Sequence, residues 1–195
     1  MKREDMIKAN FADMKIEFEI NHHKIVRRID AVFTEEIKHF RSLLSAFNSE
    51  YNCIEQDKIY LLSDKVKDIF NSCKVILVDD YESKFNRNME LLRTTMYDFF
   101  IRRLDNPDLR CPSKKIDKYL SNMCKFDCFV ITDKLESELI DFANDFIYRY
   151  VNSEDEQRDF VDVIRKVHYS LVCELKKVIS LSIEDKQDIT LRYNT

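Results

Sequence analysis

A chain of 195 residues with 45% hydrophobic side chains is long enough to bury a core, and its formal net charge of −4 gives no electrostatic case for nucleic acid as the main partner. It has no glycine and two prolines, Pro107 and Pro112, where average usage of roughly 7% and 5% would supply about fourteen and ten. Without glycine for positive-φ turns, the composition argues against β-hairpins, dinucleotide-binding folds and phosphate-cradling loops, and for long helices.

Residues 1–50 read as one long helix. Ile7, Phe11, Met14, Phe18, Ile25 and Val32 mark a seven-residue seam, interrupted by the polar residues Asn21 and Arg28. The pattern then moves by one residue and continues through Phe33, Ile37, Phe40, Leu44, Phe47, Tyr51 and Ile54. Local unwinding absorbs such a shift. The alternative is a break between Phe33 and Thr34, since Thr34-Glu35-Glu36 has the form of a helix start.

A second long helix is expected over Asp57–Leu104, carrying Ile59, Leu62, Val66, Ile69, Cys73 and Ile76, then Tyr81, Phe85, Met89, Leu92, Met96, Phe99 and Phe100. Two helices of this size would each be about 70 Å long, and the short polar link at Asn52–Asp57 folds them into an antiparallel hairpin. Asp105–Ser113 is the clearest loop, because each proline disfavours helical geometry in the residue before it.

After this elbow, Ser113 is placed to cap a helix with Ile116, Tyr119, Leu120 and Met123, and Thr132 to start another with Leu135, Leu139, Phe142, Phe146 and Tyr150. Ser153-Glu154-Asp155-Glu156 is a capping box before Phe160, Val163, Ile164, Val167, Leu171, Leu175 and Val178. From Ser182 onward the pattern suggests a frayed turn or a tail. The expected fold is therefore all-α: a long, coiled-coil-like antiparallel hairpin over 1–104, a proline elbow over 105–113, and an acidic helical region over 114–195 packed on the hairpin.

Charge follows the same division. Residues 1–52 and 53–104 each carry nine basic and nine acidic side chains, residues 105–126 five and three, and residues 127–195 nine and fifteen. Arg110, Lys114, Lys115, Lys118 and Lys125 form the one local basic surplus, suited to phosphate, anionic lipid or an acidic partner, or to a plain solvated face.

Metal and catalytic motifs are weak. Glu19-x-x-His22 and Glu36-x-x-His39 have the spacing of helical metal ligands, but both lie on one helix, seventeen residues apart. Cys124 and Cys128, with Cys111 thirteen residues upstream of the first, lack a nearby histidine and the usual zinc spacing. No cysteine sits in a recognisable nucleophile elbow. No catalytic residue, cofactor or metal ligand is assigned.

Residues 1–15 show charges every few positions and no continuous apolar stretch, unlike a secretory leader. No run approaches the ~18 apolar residues of a membrane span. Together these point to an intracellular chain whose six cysteines are reduced thiols.

Function is expected in a surface that binds. The leading expectation is a non-enzymatic interaction or scaffold protein that self-associates, or holds a protein partner, through its aromatic seam. Asn21 and Arg28 would set register on that seam, and Lys114, Lys115 and Lys118 would offer a contact patch. A curved, BAR-like membrane-surface module is the alternative, and a metal-binding helical-bundle enzyme the second.

Overall fold

Five α-helices and one π-helical turn account for the computed structural model, which describes residues 2–125 and 130–193; no strand occurs among them. They are α1 (Arg3–Tyr51), α2 (Gln56–Asp105), α3 (Ser113–Met123), the π turn (Val130–Lys134), α4 (Leu135–Tyr150) and α5 (Glu154–Tyr193). None is long and apolar enough to cross a membrane.

The first reversal shows how a chain without glycine turns. At the end of α1, Asn52 takes the left-handed conformation (φ 48°) in which glycine is usually found, and its N–H donates to Asn48 O at 2.8 Å. The buried Asn48 side chain clamps the link. Its Oδ1 accepts from the N–H of Ile54 at 2.8 Å, and its Nδ2 donates to Ile54 O at 3.0 Å. Asparagine supplies both the backbone freedom and the missing hydrogen bonds.

α1 does not break at Thr34. The Thr34 hydroxyl donates back to Asp30 O at 2.9 Å, inside a continuous helix. The phase shift is absorbed by consecutive four-residue steps through the fully buried Ile25, Ile29 and Phe33. The seam therefore passes through Ile29, and Arg28 and Val32 fall to its side, half-buried. A 3.6-residue helix drifts against a strict heptad, and steps of four follow that drift.

Other boundaries depart from expectation. Pro112, not Ser113, occupies the N-cap of α3, and no side chain caps that helix. Thr132 lies within the π turn, which becomes α-helical only at Leu135. The capping bond forms: Ser153 Oγ accepts from the N–H of Glu156 at 3.3 Å, while the Glu156 carboxylate accepts from the N–H of Asn152, one residue before the cap, at 2.9 Å. Residues beyond Ser182 are not a tail. α5 continues to Tyr193, and Ser182, Lys186, Ile189 and Thr190 are buried.

The chain forms two compact units, to each of which α1, α2 and α5 give a segment. The first draws on residues 1–27, 79–126 and 178–195, including α3. Its core gathers Phe11, Met14, Phe18, Phe85, Met89, Leu92, Met96, Ile116, Leu120, Met123, Cys124 and Ile189. Contacts of Phe11 with Tyr97 and of His22 with Tyr81 and Phe85 set α1 and α2 antiparallel within it.

The second unit draws on residues 28–78 and 127–177, including α4. Phenylalanines fill its core. Phe146 stacks on Phe160 at 3.7 Å, Phe47 lies 5.5 Å from Phe160, Phe40 meets Phe142 at 6.0 Å, and Phe33 meets Phe70 at 5.9 Å. The seam phenylalanines of α1 are thus covered by helices of the same chain.

Candidate functional site

Ser182, Lys186 and Thr190 succeed one another on one face of α5, a turn apart, and enter the core of the first unit. Lys186 is fully buried, and among the described residues no carboxylate is paired with its ammonium group. Three neutral oxygens take its three N–H donors instead. These are Ser182 Oγ at 2.8 Å, Tyr81 OH at 3.0 Å and Asn21 Oδ1 at 3.0 Å. The ammonium also lies 5.5 Å and 5.8 Å from the ring centres of Tyr81 and Phe85.

Each acceptor is itself held. Asn21 Nδ2 donates to Asp185 at 3.0 Å, and Lys24 Nζ stands 4.0 Å from the same carboxylate. The Tyr81 and Ser182 hydroxyls share a bond of 2.9 Å, and Ser182 donates on to Cys124 Sγ at 3.5 Å. A buried string therefore runs from α1 through α5 and α2 to the end of α3. His22 closes one side, stacked 4.1 Å from Phe85 and 5.0 Å from Tyr81.

Burial dominates the electrostatics. It lowers Lys186 from an ordinary 10.5 to about 8, against the opposing influence of Cys124 and Asp185. Burial, then Lys186 and His23, lower His22 from 6.5 to about 4. Glu82 lies 3.8 Å from His22 Nε2, but its half-exposed side chain is screened by solvent and does not reverse that direction. His22 Nδ1 has no hydrogen-bond partner among the described residues, which suits a neutral ring. Burial also raises the Tyr81 hydroxyl and the Cys124 thiol.

An amine poised near pH 8 is a competent nucleophile when a substrate reaches it. Lys186 has no exposed surface, and all three of its donors are engaged. A shallow groove of about 290 Å³ between Glu17, Ile20, Lys24, Asp188 and Arg192 ends on Asn21 and Asp185, with Asn21 standing between it and the ammonium. The arrangement ties three helices together at one level. It does not present a reacting atom.

A scan of protein-family models and searches of characterised proteins and solved structures return no match.

The residues singled out from sequence fall in different settings. Asn21 is buried and engaged by Lys186 and Asp185 of its own chain. Arg28 is half-buried, with Nη1 lacking a partner among the described residues. Lys114, Lys115 and Lys118 are exposed on α3. Cys111 is exposed in the elbow, Cys124 is buried against Ser182, and Cys128 lies outside the described residues.

Both Glu-x-x-His pairs are engaged by other groups of the chain. Glu19 faces Lys15 at 3.8 Å while His22 is buried in aromatic contacts, and the buried Glu36 is taken by His39 at 3.2 Å and Ser170 at 2.6 Å. No group of three metal-capable side chains occurs among the described residues.

Tyr81, Ser182 and Lys186 were not foreseen from sequence as site residues. The signal was present in spacing. The stripe Leu171, Leu175, Val178 continues at four-, four- and three-residue steps through Ser182, Lys186 and Ile189, and a lysine in a core register marks a buried charge.

Proposed function

We propose that this chain is a non-enzymatic helical interaction protein that self-associates through the α4–α5 face of its second unit. The aromatic seam is occupied within the chain, which leaves the apolar side chains outside it to form a binding surface. The observation that carries the reading is a groove of about 270 Å³ between α4 and α5, floored by Leu139, Ala143, Val161 and Ile164. Ile140 on its edge is 48% exposed, and Tyr148 and Tyr169 on the same two helices are 88% and 72% exposed. An apolar floor on helices that also carry exposed tyrosines has the composition of protein interfaces. Glu136 and Arg165 on the rim carry opposite charges, which suits the self-complementary contact of a two-fold dimer.

Sedimentation equilibrium tests this directly. The wild type is expected to pass from monomer to dimer with concentration, and Ile140→Glu with Tyr169→Glu to stay monomeric while retaining its helical circular dichroism. A wild type that remains at 23.5 kDa up to about 100 μM overturns the proposal, because a specific interface of standard size associates well below that. The membrane-surface reading has support only in the exposed Lys114, Lys115 and Lys118. It requires co-sedimentation with vesicles that rises with anionic lipid content.

A further inference from the structure

Charge is divided between the units as the linear sequence does not reveal. The first contains 18 basic and 16 acidic residues, the second 14 and 20, so the chain's acidic excess belongs to the second alone. The first unit also holds a groove of about 450 Å³ between α1 and α2. Lys8, Phe11, Ala12 and Lys15 form one wall, and Arg93, Thr94 and Tyr97 the other. The volume falls in the ~300–1,000 Å³ range of small-molecule sites.

Three features of this groove point the same way. Its floor is aromatic, with Phe11 in edge contact with Tyr97 at 6.1 Å and tilted against Phe100 at 5.9 Å. Ala12 and Thr94 are the small side chains, one on each wall, that leave the space open. Every ionisable group on the lining except the tyrosine is a cation, and cations stand on both walls. Glu19, 3.8 Å from Lys15, and Glu90, 3.0 Å from Arg93, lie on the same helices but outside the lining. Such exposed pairs hold weakly and exchange readily for an incoming anion.

We infer that this groove binds a free, single-chain anionic amphiphile. Its carboxylate, sulfonate or phosphate head would sit between Lys15 and Arg93, and its apolar or aromatic body against Phe11 and Tyr97. Arg93 provides the planar fork that recognises such heads, and Lys8 and Lys15 provide mobile positive charge.

The test is a fluorescence titration of the full chain with 8-anilinonaphthalene-1-sulfonate, competed by decanoate below its micelle concentration and by decyltrimethylammonium. One saturable site displaced by decanoate and not by the cation is expected. Lys15→Gln with Arg93→Gln should weaken it about tenfold or more, as loss of charge-assisted hydrogen bonds does. Arg93→Lys should restore part of the affinity. Ala12→Leu, at an exposed helical position, keeps the charges and fills the groove, and should abolish binding with circular dichroism unchanged. Equal competition by the cationic amphiphile, or unchanged affinity in both the double variant and Ala12→Leu, overturns the assignment. So does binding to phosphatidylserine vesicles that decanoate does not compete, which would place the affinity on a membrane surface.

Discussion

The two units bury segments of the same three long helices around opposite kinds of core. The second is filled by stiff rings, with Phe40, Phe47, Phe142, Phe146 and Phe160 in mutual contact. The first is lined by adaptable side chains, including Met14, Met89, Met96 and Met123, and encloses an ammonium group. A ring cluster gains burial and aromatic contact, yet sliding a helix past another can exchange one phenylalanine for the next. A hydrogen-bonded lysine with three fixed acceptors tolerates no slip, because any shift leaves a buried charge unsatisfied. On this comparison the second unit is built for stability and the first for register.

The largest expected effect probes the ring core. Phe160→Ala should cost about 4 kcal/mol in urea unfolding, because it empties the centre of the stacked cluster. A loss below about 1 kcal/mol would mean that the rings repack freely, and the contrast would fail.

Next come two pH effects confined to the first unit. His22 titrates near 4 folded and 6.5 unfolded, so the unfolded chain binds the proton first. Its stabilising effect is complete above pH 6.5 and lost as pH falls to 4, about 3 kcal/mol in all. His22→Phe keeps the stacking and should remove this acid slope.

Lys186 titrates near 8 folded and 10.5 unfolded, again lower in the folded state. Its charged form therefore lowers stability below pH 8, and unfolding free energy should climb by about 3 kcal/mol between pH 8 and 10.5. Lys186→Met should flatten that rise. A wild type with no such alkaline gain would show that the ammonium is better solvated than its burial implies.

Removing one acceptor is a smaller change. Asn21→Ala leaves the Lys186 ammonium one hydrogen bond short and should cost about 2 kcal/mol at pH 7, with a further fall in the lysine's folded pKa visible as a shifted alkaline limb. The smallest effect lies in the turn of the second unit. Asn52→Ala should cost about 1 kcal/mol by forcing a side chain without local hydrogen bonds into the left-handed region, and Asn52→Gly should be close to neutral.

Much of this architecture was readable from residue spacing. The apolar stripes located all five helices, the prolines located the elbow, and Ser153 with Glu156 located the start of α5, since each is a local interaction written within a few residues. A strict heptad places Arg28 on the seam, whereas the helix steps by four through Ile29. The stretch after Ser182 reads as a frayed turn or a tail because Lys186 and Thr190 look like surface residues until the tertiary structure buries them. Asn21 was recognised as a polar residue in an apolar register, but its partner lies 165 positions away.

Composition and period alone determined that this chain is helical, where its two longest helices run and that it has few reversals, because helix formation depends on neighbours three and four residues apart. Only the tertiary structure decided which polar residues are buried together, that the chain's own helices cover the aromatic seam, and that the positive and negative surpluses belong to different units. Those outcomes depend on residues more than a hundred positions apart, and no local spacing records such a meeting.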